Sequence, residues 1–274
     1  MNKPTDRSFD GIAVKFKHNI YQSTKGAIRQ QVLLRDLMAL PLLQLPCEVL
    51  DVGAGQGQIS LALATMGHKV HLTDISADML EMAAEAATAA GLPITGAAAR
   101  LSFTKISLSQ LSIAQSGVAG SGATLSRQYP LVLCHAMLEW LAEPEVALQQ
   151  LSQLVAAGGV LSLMFYNKDA KRFSNILYGN FDYVAADFKV KKKVSLSPQN
   201  PIEPQWVNQW YQQAGFTLLT KTGVRCFHDY LRERSMQQSH FQQLLAMELA
   251  YNQQEPYASL GRYTHLVLQK NPLP

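Results

Sequence analysis

The run Val49-Leu50-Asp51-Val52-Gly53-Ala54-Gly55-Gln56-Gly57 constrains this chain more than any other segment: a short apolar stretch stops at an acid and passes directly into three alternating glycines. Glycine lacks the Cβ that forbids left-handed dihedrals and close approach, so alternating glycines suit backbone that must come close to a ligand. A helix expected over Ile59 to Met66 would aim its free N–H groups at the same place. The segment reads as a strand, a tight loop and a helix around a nucleotide-like group; an ordinary tight βα turn is the plainer reading of the glycines alone.

Spacing narrows the ligand. A dinucleotide fingerprint after Gly53 and Gly55 would put its third glycine at position 58, which is Gln58; the pattern here is D-x-G-x-G-x-G. It resembles motif I of the class I S-adenosylmethionine (SAM) methyltransferases, whose ligand has no pyrophosphate. Downstream, Lys69-Val70-His71-Leu72-Thr73-Asp74 reads as a strand ending in an acid, and a carboxylate there can accept hydrogen bonds from both ribose hydroxyls of an adenosine.

Periodicity supports alternating strands and helices: after the first pair come a strand at 69–73, a helix over 77–90, a strand near 101–106, a strand at 130–135, a helix over 144–154 and a strand at 159–166. Ala156-Ala157-Gly158-Gly159 reads as the stop between that last helix and strand. Such alternation implies a parallel sheet covered on both faces. The tail continues with a helix over 204–213, a strand over 216–225, a polar helix over 232–253 and a strand from Gly261 to Lys270. Residues 8–40 carry two helical segments, with Thr24 as the expected cap of the second, and should form a helical cap over the ligand. Residues 112–127 are a glycine- and serine-rich surface loop, and 167–200 are an insertion on the substrate side. One domain is expected, with a cofactor-binding core over 47–166 completed by 201–274.

At 274 residues and 47% hydrophobic content the chain can bury a sizeable core, yet no run approaches the roughly 18 apolar residues of a membrane span. No secretory signal is visible at the N-terminus, so a soluble, cytoplasmic protein is expected. Cys47, Cys134 and Cys226 lie far apart in apolar runs and read as buried thiols; no structural metal is expected. The net charge of +4 is modest, but Lys189, Lys191, Lys192 and Lys193 form a block, and Arg225, Arg232 and Arg234 follow with Tyr178, Phe181, Tyr183, Phe227 and Tyr230 nearby. Cations mixed with aromatics can hold phosphates and stack a base; a solvated loop and a charged helix face is the alternative.

The segment Leu133-Cys134-His135-Ala136-Met137-Leu138-Glu139-Trp140-Leu141 extends the resemblance. Taken with Gly179-Asn180-Phe181-Asp182-Tyr183, Thr222-Gly223-Val224-Arg225-Cys226-Phe227-His228-Asp229-Tyr230 and Leu260-Gly261-Arg262-Tyr263, it is similar to the bacterial tRNA 5-carboxymethoxyuridine methyltransferases, across nearly the whole chain. The resemblance implies a Rossmann-like, mostly parallel seven-stranded sheet with helices on both faces and esterification, from SAM, of a modified wobble uridine in the anticodon loop. It further implies that Arg29 meets the SAM carboxylate, that Ala54 and Gly55 meet the cofactor through backbone, that Asp74 holds the ribose and that His135 lies beside the methionine portion; near the adenine, where the family has an acidic residue, this chain departs from it with Ser109 and Gln110, whose hydroxyl and amide can still meet the adenine edge. Asp51, Gly53 and Gly57 complete the expected cofactor set. An ionised carboxylate acceptor needs no general base, so the substrate side should position and not deprotonate; Tyr21, Tyr166, Arg225, His228 and Tyr230 are the candidates. The competing classes are a small-molecule carboxylate or phenol methyltransferase and a non-catalytic SAM-binding regulator.

Overall fold

The computed structural model describes residues 8, 10–11, 23–111, 128–189, 198 and 200–272. Seven strands form one sheet in the order β3-β2-β1-β4-β5-β7-β6. In chain order these are β1 (Glu48–Val52), β2 (Lys69–Asp74), β3 (Leu101–Lys105), β4 (Tyr129–His135), β5 (Val155–Tyr166), β6 (Phe216–Val224) and β7 (Tyr263–Lys270). All pairings are parallel except those of β7, which lies antiparallel between β5 and β6. The carboxyl ends of β1, β2, β4, β5 and β6 and the start of β7 therefore share one edge of the sheet, where loops can converge on a ligand.

Helices cover both faces. Among the described residues the α-helices in chain order are α1 (Thr24–Met38), α2 (Gln58–Thr65), α3 (Ala77–Ala89), α4 (Pro144–Leu154), α5 (Lys168–Leu177), α6 (Phe181–Ala185), α7 (Pro204–Gln213), α8 (Met236–Ser239), α9 (Phe241–Tyr251) and α10 (Tyr257–Leu260). One core layer buries Ile28, Val32 and Leu33 of α1 and Leu63 of α2 against Val49, Leu133 and Val267. The other buries Leu148 and Leu151 of α4 and Val207 of α7 against Val132, Leu161 and Leu268. Both faces of the sheet are thus apolar at its centre, which is why β1, β4 and the latter part of β5 read as hydrophobic runs. Among the described residues no helix is long and apolar enough to cross a membrane.

Three sequence expectations shift, and a fourth falls outside the described residues. Ser23, not Thr24, caps α1: its hydroxyl accepts from Gly26 N–H, while the Thr24 hydroxyl turns away to His228. The strand expected from 159 begins at Val155, which pairs with Tyr129 before the register slips; Ala156 to Gly159 form the irregularity and not a helix stop. The helix expected over 232–253 is two, broken at His240. Of the two helical segments expected in 8–40, α1 is described and residues 12–22 lie outside the described residues.

Candidate functional site

Gly53, at the turn out of β1, separates two clefts. Its φ of +67° is left-handed, and a Cβ there would sit 2.6 Å from Met137 Sδ, so both the turn and the close approach of the two loops require glycine. The first cleft, about 430 Å³, is lined by Arg29, Gln30 and Leu33 of α1, by Asp51, Gly53, Ala54, Gln58 and Ile59, and by His135. The second, about 560 Å³, is lined by Asp74, Ile75, Ile106, Ser107, Leu108, Met137 and Trp140 among others.

Asp74 closes the second cleft and clasps the glycine loop. One carboxylate oxygen accepts from Gly55 N–H and the other from Ser76 N–H, each at 2.8 Å, leaving further lone pairs on both. Burial raises its pKa in spite of those bonds. Asp51 is buried deeper, accepts from the Ser60 hydroxyl at 2.5 Å, and is pushed up to about 7 by desolvation, a push to which the nearby Asp74 charge adds. Two buried carboxylates with this little compensation suit a cationic ligand. Gly57, at φ +64°, starts α2.

His135 ends a buried chain of hydrogen bonds that the sequence did not disclose. Asp36 Oδ2 lies 2.8 Å from His265 Nδ1, His265 Nε2 lies 2.8 Å from Ser162 Oγ, and Ser162 Oγ lies 2.8 Å from His135 Nε2. The polarity follows from one end. The carboxylate accepts only, so His265 donates to it through Nδ1, the serine donates to His265, and His135 Nε2–H donates to the serine, leaving His135 Nδ1 as an acceptor. Burial and the neighbouring His265 hold the His135 pKa well below the usual histidine range, so the ring stays neutral. Asp36 is a full two turns beyond Arg29 on α1, so the helix that carries Arg29 to the first cleft is pinned by the same chain. The only sequence signal for Asp36 was an acid at a position of the buried face shared by Ile28, Val32, Leu33 and Leu37.

The remaining expected residues divide. Ser109 and Gln110 do not line the second cleft: Gln110 Oε1 accepts from Ser107 N–H and hydroxyl, closing a local capping box, so Ile106, Ser107 and Leu108 face the cleft in their place. Tyr166 ends β5 at the shared edge with its ring 5.5 Å from that of Tyr263. Arg225 binds Asp229 through both Nε and Nη2. His228 is fully buried, bridging Thr24 Oγ1 and Asp229 Oδ1, and the Tyr230 hydroxyl donates to the Leu260 carbonyl at 2.9 Å, so neither presents a free polar edge. Their loop is held by Glu248, whose carboxylate accepts from the N–H groups of Cys226, Phe227 and His228. Lys189, Arg232 and Arg234 are exposed, and Arg234 lies 5.8 Å from the Tyr178 ring. Tyr21, Lys191, Lys192 and Lys193 lie outside the described residues.

Sheet order, the glycine loop at β1 and the acid ending β2 define a class I, Rossmann-like methyltransferase fold. The methyltransferase-domain family matches residues 50–161. Magnesium protoporphyrin IX methyltransferase from Synechocystis PCC 6803, solved with SAH bound, shares the fold with a TM-score of 0.63 at 16% identity, covering 96% of each chain. The ubiquinone biosynthesis O-methyltransferase of Coxiella burnetii is 25% identical over 176 residues, 64% of this chain and 66% of that one. The tRNA 5-carboxymethoxyuridine methyltransferase of Escherichia coli strain K12 is 43% identical over 267 residues, 97% of each chain. The chain belongs to that family of tRNA 5-carboxymethoxyuridine methyltransferases.

Proposed function

We propose that this chain methylates the carboxylate of 5-carboxymethoxyuridine at the tRNA wobble position, with SAM as donor, and so works where tRNA is, in the cytoplasm. The observation that carries the reading is the pair of clefts on either side of Gly53, which open on the same sheet edge as a cluster of arginines and tyrosines at β5, β6 and β7. The residues fit SAM. Asp74 would hold the ribose, Ile75, Ile106, Leu108 and Met137 would flank the adenine, and Arg29, Asp51, Ala54 and His135 would surround the methionine portion. Arg29 suits its carboxylate, and the His135 Nδ1 acceptor and the buried Asp51 suit its cationic groups.

Bound SAM supplies an electrophilic methyl group. One carboxylate oxygen of the acceptor bonds the methyl carbon as the carbon–sulfur bond breaks, the electron pair stays on sulfur, and no proton moves. The protein therefore has to align and shield, and the neutral His135 is not called on as a base. The exposed cations Lys189, Arg232 and Arg234, together with Lys191, Lys192 and Lys193, which follow Lys189 in sequence and lie outside the described residues, would meet the phosphates of the anticodon loop. Incubation with methyl-labelled SAM and tRNA, prepared with and without the carboxymethoxy group, tests the reading: label should enter only the carboxymethoxylated RNA, and equal labelling of both would refute it.

A further inference from the structure

Resting on that reading, the acceptor carboxylate needs its own receptor, and the edge of the sheet beyond the cofactor clefts holds an excess of positive charge. Tyr166 ends β5, Arg262 immediately precedes β7, and Arg225 immediately follows β6, so strand order alone brings them together. The crossing is tight: a Cβ on Gly261 would lie 2.5 Å from Gly223 Cα, and Arg262 N–H donates to the Arg225 carbonyl. Lys171, in the first turns of α5, and Lys25, in the first turn of α1, flank this point.

The cations are unevenly partnered. Arg225 is neutralised by Asp229, which it grips through two nitrogens. Arg262 stacks 4.9 Å from the Tyr166 ring centroid and donates to the Ser174 hydroxyl at 3.3 Å. Lys171 is 8% exposed and rests 4.4 Å from the Phe188 ring centroid and 5.3 Å from that of Tyr183. Among the described residues none of Arg262, Lys171 and Lys25 has a carboxylate within ion-pair distance, and no described hydrogen bond involves the Tyr166 hydroxyl. Lys171 is buried and Arg262 and Lys25 are half-buried, so cations here that lack a paired anion are costly, and such a set is relieved by an incoming anion.

We propose that Arg262, assisted by Lys171, Lys25 and the Tyr166 hydroxyl, is the receiving site for the carboxylate of the methyl acceptor, and that Arg225 shapes this site through Asp229 without contacting the acceptor. A planar guanidinium matches a carboxylate in shape, and the Tyr166 ring beneath it limits where it can move. The arrangement holds one oxygen against the cation while the other remains available to attack. Burial and the nearby Arg262 push Lys171 down to about 8, and burial with Arg225 lowers Lys25, so these two lysines are short of counter-charge, whereas neighbouring groups that include Asp229 raise Arg262 against its burial and keep its guanidinium charged. The product ester is neutral, so esterification removes the charge that the site recognises and favours release.

The test crosses the protein change with a substrate change. Binding is measured to two tRNAs differing only at the wobble base, 5-carboxymethoxyuridine in one and the uncharged 5-methoxyuridine in the other. Wild-type protein should prefer the carboxylate by about tenfold or more. Arg262→Gln should bring that preference within about twofold while leaving affinity for the methoxy tRNA and for SAM unchanged, and Lys171→Met should lower it in the same direction by less. Unchanged SAM affinity and melting temperature show that each variant is folded. A full preference retained in both variants overturns the assignment, as does a wild-type protein that methylates the carboxymethoxylated tRNA without preferring it. A wild-type protein that methylates neither tRNA would instead sink the proposed acceptor, an outcome separate from the role of Arg262.

Discussion

Replacing Asp74 by alanine should separate ligand binding from stability, because the same carboxylate serves both. In the free protein it accepts from Gly55 N–H and Ser76 N–H at 2.8 Å. Hydrogen bonds to a charged group contribute about 1.5–3 kcal/mol each. Their loss on folding is offset by no longer burying a carboxylate whose pKa burial has raised, so the net stability change should stay below about 2 kcal/mol. Binding has no such offset. Two charge-assisted bonds to the ribose diol disappear and the glycine loop loses its clasp, so the expected loss is about 2–4 kcal/mol, roughly 30- to 700-fold in SAM affinity. Asparagine should not rescue it, since its amide NH2 would face a backbone N–H donor. Isothermal calorimetry with SAM and with adenosine gives the assay. Asp74→Ala should weaken both ligands by the same factor, whereas Arg29→Ala should weaken SAM alone. A SAM affinity within twofold of wild type in Asp74→Ala would show that the second cleft does not hold the ribose.

Other outcomes follow from the same geometry. Asp51, raised to about 7, is partly protonated near neutrality, so a cationic ligand beside it should expel a proton on binding; calorimetry in buffers of different ionisation enthalpy should detect the release at pH 7, and Asp51→Asn should abolish it. Without ligand the same elevation makes the charged form the disfavoured one, so the contribution of Asp51 to stability should decline as pH rises from about 4 through about 7. Asp36→Asn should cost about 2–4 kcal/mol, lowering Tm by roughly 4–12 °C, because buried charge-assisted bonds to His265 and Arg35 are lost. Although burial opposes it, bonding to His265 leaves the Asp36 carboxyl below its ordinary value, so the penalty should be present above about pH 4 and fade as pH falls through that lowered value; a penalty that persists there would refute the charge argument. Single-turnover transfer at saturating SAM should vary little between about pH 6 and 8, and mild alkali should release the methyl group from the RNA as methanol; an alkali-stable product rules out the ester. Replacing Lys189, Lys191, Lys192 and Lys193 together should flatten the slope of log affinity for tRNA against log salt by about 2–4, and an unaltered slope would make that block a solvated loop.

What the sequence determined by itself was local. The glycine loop after β1, the acid ending β2 and the bounds of α4 and α7 depend on residues within a few positions of one another, so spacing and periodicity suffice to place them. Tertiary structure decided the register and the partners. Val155 joins β5 because Tyr129 lies beside it, which no periodicity in 155–159 could reveal. Ser109 and Gln110 leave the cleft because a local capping box competes for Gln110. Arg225, His228 and Tyr230 carry the right chemistry, yet Asp229, Thr24 and the Leu260 carbonyl already occupy them. Asp36 and His265 stand 229 residues apart and meet only because β7 is inserted between β5 and β6, over the face that α1 covers. A side chain's type is written in the sequence, but whether its hydrogen-bonding capacity is spent or left for a ligand depends on which groups the fold brings within about 3 Å of it.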